Sequence, residues 1–112
     1  MRGDGRGLRV VDEEVFGPVL TLHTYETWAD AITMVNSGHY GLQCGLFTDS
    51  HARIRQAYRE LEVGGVVAND VPSVRVDVMP YGGVKDSGLG REGVRFAMAD
   101  FTEAKVLISR RG

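Results

Sequence analysis

One cysteine, three prolines and one tryptophan are all that this 112-residue sequence holds of those types. Cys44 has no second thiol to meet, so an internal disulfide framework is excluded and a reducing compartment, the cytoplasm, is the expected location. Long apolar runs are lacking too: none approaches the roughly 18 residues needed to span a bilayer, so no membrane partner is expected. The charged, glycine-rich residues 1–10 have no apolar stretch of the kind that a signal peptide needs and read as a disordered tail. Positive charge is not in excess. Thirteen Lys and Arg stand against fifteen Asp and Glu, for a net charge of -2, which with no basic stripe argues against a nucleic-acid partner. His23, His39 and His51 lie sixteen and twelve positions apart, a spacing that suggests no metal site.

What is present is ordinary globular composition, 43% hydrophobic and 25% charged, at a length that could bury about two-thirds of its unfolded surface around one core. The unusual feature is glycine. Five of fifteen glycines fall in residues 80–93, Pro-Tyr-Gly-Gly-Val-Lys-Asp-Ser-Gly-Leu-Gly-Arg-Glu-Gly. Each glycine inside a helix or strand costs about 0.5–1 kcal/mol relative to alanine, so this stretch reads as a shaped loop leading into a short helix. Its end, Gly88 to Gly93, satisfies the letters of the G-x-G-x-x-G dinucleotide fingerprint. The fingerprint also needs a strand before it and an acid about 20 residues after it; residues 84–87 do not read as a strand and residues 105–111 hold no acid. What remains is a loop whose free N–H groups and Lys85 could face a ligand or a neighbouring chain, or one that only lets two elements pack closely.

The apolar patterning gives the expected elements. Residues 19–23 are rich in strand formers and follow the Gly17-Pro18 break. Thr27 with Asp30 makes a capping-box start, and Trp28, Ala31, Ile32 and Val35 recur on one helical face. A second strand is expected over residues 41–48, then a helix capped by Asp49 or Ser50 with Ile54, Ala57, Tyr58 and Leu61 inward, then a third strand over 66–69. A helix over about 91–99 should turn Val94, Met98 and Phe101 to the core, and residues 105–110 should form a last, uncovered edge strand. The predicted class is α/β: a parallel three-layer sheet, β-α-β-α-β, followed by the glycine-rich loop, a short helix and the C-terminal edge strand. Ligands of such sheets sit beyond the carboxyl ends of the strands, which puts the glycine loop on the functional edge.

Catalysis is not visible in these residues alone. Cys44 alternates with Leu42 and Leu46 on an apolar strand face, with no cation to lower its pKa, and reads as buried and inert. Ser73 and Ser87 have no histidine in local reach, and sequence does not pair the acids Glu13, Glu14, Asp70 and Asp77. No catalytic residue is assigned.

Four ordered stretches carry a resemblance: Glu13-Glu-Val-Phe-Gly-Pro18; Asn36-Ser-Gly-His-Tyr-Gly-Leu42 with Leu46-Phe-Thr48; Val67-Ala-Asn69; and Pro80-Tyr-Gly-Gly-Val-Lys-Asp-Ser-Gly88 with Gly90-Arg-Glu-Gly93. Together they resemble the C-terminal part of an NAD(P)-dependent aldehyde dehydrogenase. The resemblance implies that residues 11–101 form the C-terminal part of a catalytic domain and that 102–112 form an oligomerisation strand docking on a neighbouring subunit. It implies that Glu14 hydrogen-bonds the nicotinamide ribose and that Phe16 packs near the nicotinamide ring. The family's mechanism is thiolate attack on the aldehyde, hydride transfer to NAD or NADP and hydrolysis of the thioester. Its nucleophile, general base, oxyanion-hole asparagine and Rossmann domain all precede the E-x-F-G-P motif, so the 112 residues are expected to be inactive alone. They would work in a homo-oligomer or with the N-terminal half of the enzyme; an interaction module or gene remnant of the same fold is the alternative.

Arg75, in Val74-Arg-Val-Asp-Val-Met-Pro80, is the candidate substrate residue. Related enzymes that oxidise charged aldehydes can carry an arginine in this loop, where a guanidinium could grip a carboxylate or phosphate with two parallel hydrogen bonds. The competing reading ties Arg75 to its own loop through Asp77 or Asp70.

Overall fold

The computed structural model describes residues 7–111. Most of the tail expected over 1–10 therefore lies outside the described residues, and Arg9–Asp12 forms a single helical turn, α1. The next element, α2 (Trp28–Asn36), starts where the sequence signals it: Thr27 Oγ1 accepts from Asp30 N at 3.2 Å and Asp30 Oδ2 accepts from Thr27 N at 2.9 Å, a complete capping box. The following strands are β1 (Tyr40–Gly41) and β2 (Gln43–Leu46), then α3 (His51–Glu60), capped by the Ser50 hydroxyl, and β3 (Gly65–Ala68). Parallel β2 and β3, in register from Gln43 opposite Gly65 to Leu46 opposite Ala68, enclose α3 as a βαβ unit. Asn69, at φ 59°, ends β3, and its Oδ1 accepts from Thr48 N at 2.8 Å.

The core is small and sits under this unit. Ile32, Leu46 and Ala57 are buried, with Trp28, Ile54, Leu61 and Val66 packed around them. Tyr58, expected inward, points to solvent at 76% exposure because only Ile54, Ala57 and Leu61 share the arc that meets β2 and β3. The Asn36 amide bridges the ends of both helices: Nδ2 donates to Glu60 O at 2.7 Å and Oδ1 accepts from Glu62 N at 2.8 Å. Asn36→Ala should lower stability by about 2 kcal/mol, two net hydrogen bonds' worth, and Asn36→Asp, which keeps only the acceptor, by about half that. Denaturant titration of the folded protein carrying each change measures both, and equal losses would contradict the two-bond account.

The structure corrects the sequence reading at several elements. Residues 84–87 do contain a strand: β4 (Val84–Lys85) pairs antiparallel with β1, Tyr40 opposite Lys85 and Gly41 opposite Val84. Two-residue strands carry no periodicity for a sequence to show. The last helix, α4 (Val94–Asp100), begins after Arg91 and Glu92, because Tyr81 and Glu92 form an antiparallel bridge and Gly93 turns the chain at φ 98°. Its inward side chains are Phe96 and Ala97, whereas Val94, Met98 and Phe101 are exposed.

Each sheet of the described residues has two strands. Residues 19–23 and 105–110 belong to neither, and Leu22 and Leu107 are 91% and 93% exposed. Strand-forming residues favour extended backbone, but a ladder needs a partner edge, and the described residues offer none to these two segments. The result is an open shape of 78 × 33 × 23 Å with a radius of gyration of 18.9 Å, where a compact chain of this length would have about 13 Å. The single well-filled core expected from length is not formed by these residues alone.

Candidate functional site

The glycine-rich loop is stapled to the βαβ unit by its own side chains. Lys85 Nζ donates to Asn36 O at 2.7 Å and Gly38 O at 3.1 Å and pairs with Glu62 Oε2 at 3.0 Å. Two of these partners are open carbonyls at and just beyond the end of α2, which a cation satisfies well, so Lys85 anchors the loop to that helix end. Ser87 Oγ accepts from Gly41 N at 2.9 Å, and Asp86 N donates to His39 O at 3.0 Å. Arg91 Nη1 donates to Gly83 O at 2.8 Å and Gly90 O at 2.7 Å, while Arg91 N donates to Asp100 Oδ2 at 3.2 Å. The Asp100 carboxylate thus takes up the Arg91 N–H at the end of the glycine loop.

Two open grooves flank this loop. One, of about 690 Å³, is lined by Glu14 together with Gln43, Cys44, Gly45, Pro72 and Ser87. The other, of about 610 Å³, lies over Tyr81, Gly83, Arg91, Glu92 and Asp100. Glu14 therefore lies beside β1 and the first residues of β2, whereas Phe16 is outside that groove and 94% exposed. Cys44 is half-buried, Sγ lies 3.6 Å from Gly45 O, and burial pushes its thiol pKa up, the reverse of what activates a nucleophile.

Arg75 pairs with neither Asp77 nor Asp70. Its Nη2 lies 2.7 Å from Glu92 Oε2, and its guanidinium carbon stands 5.3 Å from the centre of the Tyr81 ring. Asp70 Oδ1 instead accepts from Val71 N at 2.8 Å. Tyr81 and Glu92 are the neighbours of Arg75 that the sequence reading missed. Arg75 and Glu92 are seventeen positions apart in sequence, and only the Tyr81–Glu92 bridge brings them together.

A mixed helix-and-strand unit with a glycine loop packed across a parallel βαβ core is the class that the geometry defines. The Aldehyde dehydrogenase family model matches residues 5–107, and the chain belongs to that family. It is 45% identical over 101 residues to 3-sulfolactaldehyde dehydrogenase of Priestia aryabhattai, covering 90% of this chain and 21% of the relative. Aldehyde dehydrogenase 21 of Physcomitrella patens, solved with its reaction product succinate, superposes with a TM-score of 0.83 at 50% identity, covering 88% of this chain and 21% of that one. Glyceraldehyde-3-phosphate dehydrogenase GapN of Methanocaldococcus jannaschii DSM 2661, solved with NADP, gives a TM-score of 0.60 at 48% identity, covering 62% and 15%. The chain thus spans about a fifth of the length of the relatives it matches. The relatives are oxidoreductases, and dinucleotide use is a property of the family. Among the described residues no helix is long and apolar enough to cross a membrane.

Proposed function

We propose that these residues are the C-terminal portion of the catalytic unit of a cytoplasmic NAD(P)-dependent aldehyde dehydrogenase that oxidises a small anionic aldehyde to the acid. The observation that carries this reading is the uncovered apolar surface: Leu22, Phe101, Leu107 and Ile108 are all more than four-fifths exposed, while the buried hydrophobic core of the described residues is Ile32, Leu46 and Ala57 alone. Such surface is built to be covered, here by the remainder of the enzyme and, at residues 102–112, by a neighbouring subunit. In that assembly residues 19–23 and 105–110 gain the ladder partners that would extend the sheet.

Within this reading Glu14 accepts from the nicotinamide ribose and Phe16 offers its free ring face to the nicotinamide. The bound dinucleotide supplies the hydride acceptor. Glu14 and Phe16 serve only that end of it, and the rest of the dinucleotide would be held by the remainder of the enzyme. Arg75 reads the anionic group of the substrate. Sulfolactaldehyde, succinate and glyceraldehyde-3-phosphate, named with the three relatives above, each carry such a group, which supports an anionic substrate here.

The 112 residues by themselves should yield no aldehyde-dependent reduced nicotinamide and no calorimetric binding of NAD or NADP in the micromolar range. Activity should appear on co-expression with the N-terminal four-fifths of a relative cut before its E-x-F-G-P motif. Turnover by the chain alone, abolished by Cys44→Ala, would overturn the assignment; a stable homo-oligomer indifferent to dinucleotide and to the N-terminal piece would favour a non-catalytic association module.

A further inference from the structure

The Arg75–Glu92 pair is set by backbone geometry. Tyr81 and Glu92 oppose each other across their bridge, Glu92 N donating to Tyr81 O at 2.6 Å and Tyr81 N to Glu92 O at 3.2 Å. Opposed residues of an antiparallel bridge present their side chains on one side, and Arg75 lies across that pair, its guanidinium against the Tyr81 ring and its Nη2 on Glu92 Oε2. The neighbouring Arg91, held by Gly83 O, Gly90 O and Asp100, fixes the backbone on which Glu92 stands. Arg75 and Glu92 are each a little over half exposed, at 55% and 57%, so these residues themselves leave the guanidinium open to a second anion.

We propose that Glu92 is a specificity-determining residue: an internal carboxylate that competes with the substrate's anionic group for Arg75 and so sets how tightly anionic aldehydes bind. The inference rests on the reading of Arg75 as the anion-binding residue. A guanidinium offers five N–H donors, and a carboxylate occupies at most one two-donor edge, so Glu92 weakens an incoming anion without excluding it. Tyr81 is suited to hold the guanidinium in place by itself, since the ring face attracts the cation whether or not Glu92 is charged.

The test is steady-state kinetics of the full-length dehydrogenase carrying this segment, with one anionic and one neutral aldehyde. Glu92→Gln should lower KM for the anionic aldehyde by about threefold, the range that one exposed ion pair spans, and leave kcat and the neutral aldehyde unchanged. Glu92→Ala should act in the same direction, because the bridge uses only backbone atoms, and Glu92→Gln should have no effect when Arg75 is already leucine. An unchanged or raised anionic KM in both Glu92 variants, with Arg75→Leu still selective against the anion, would overturn the role of Glu92 and leave that of Arg75 standing. Equal effects of Arg75→Leu on both aldehydes would overturn both.

Discussion

Gly64→Ala should remove most of the protein from the soluble fraction, whereas Gly88→Ala should lower its thermal midpoint only slightly. Gly64 lies between two backbones. A Cβ there would overlap the Gly82 carbonyl and stand 3.0 Å from Leu42 O, and neither is a side chain that can swing away. The same residue donates its N–H to Gly41 O at 3.0 Å, so it joins β3, the β1–β2 junction and the glycine loop at one point. Its φ is outside the left-handed region, so close approach and not conformational freedom demands glycine. Overpacking typically costs about 1–3 kcal/mol where a core can shift, and a clash between two hydrogen-bonded main chains belongs at or above the top of that range. Gly88 is the reverse case: φ is +126°, but nothing lies within 4 Å of an added Cβ, so only the conformational penalty of about 1–2 kcal/mol applies. Expression, soluble yield and thermal midpoint of the two variants decide the matter. A Gly64→Ala protein as soluble as the parent would show that the loop does not pack there.

The parts of the fold legible in the sequence are those whose signals are local. The capping box of Thr27 and Asp30, the Ser50 cap and the apolar arc of Ile54, Ala57 and Leu61 each act within one or two turns, and the parallel pairing of β2 with β3 follows from a helix between two short apolar runs. Illegible parts depend on what comes from elsewhere. Residues 19–23 and 105–110 have strand composition without a partner edge among the described residues, and composition cannot supply one. The outward Val94, Met98 and Phe101 follow the helical spacing of a buried face, and that spacing does not say whether the covering surface belongs to the same segment. Lys85 shows the opposite failure. A lysine in a glycine loop suggests a ligand, yet its ammonium is spent on Asn36 O, Gly38 O and Glu62. The sequence offers Glu14 and Arg75 only as single residues, and the surroundings of Arg75 were not legible, since Tyr81 and Glu92 reach it only through a bridge across the glycine loop.

Arg75→Leu should raise KM for an anionic aldehyde tenfold or more while leaving kcat, and both constants for a neutral aldehyde, nearly unchanged. Tenfold corresponds to about 1.4 kcal/mol, a modest share of what a charge-assisted, two-pronged hydrogen bond to an anion contributes. The loss falls on KM because the anionic group is remote from the reacting carbonyl and is held equally before and during the reaction. Stability should barely move. The pair that Arg75 makes with Glu92 is more than half exposed, and such pairs contribute between zero and about 1 kcal/mol. Arg75→Lys separates charge from shape: an ammonium keeps the attraction but lacks the planar fork and stacks less well on Tyr81, so it should recover only part of the loss. If leucine weakened both aldehydes alike and lysine restored both, the guanidinium would be holding Tyr81 and Glu92 in place, and the loop would owe its arginine to packing and not to the substrate.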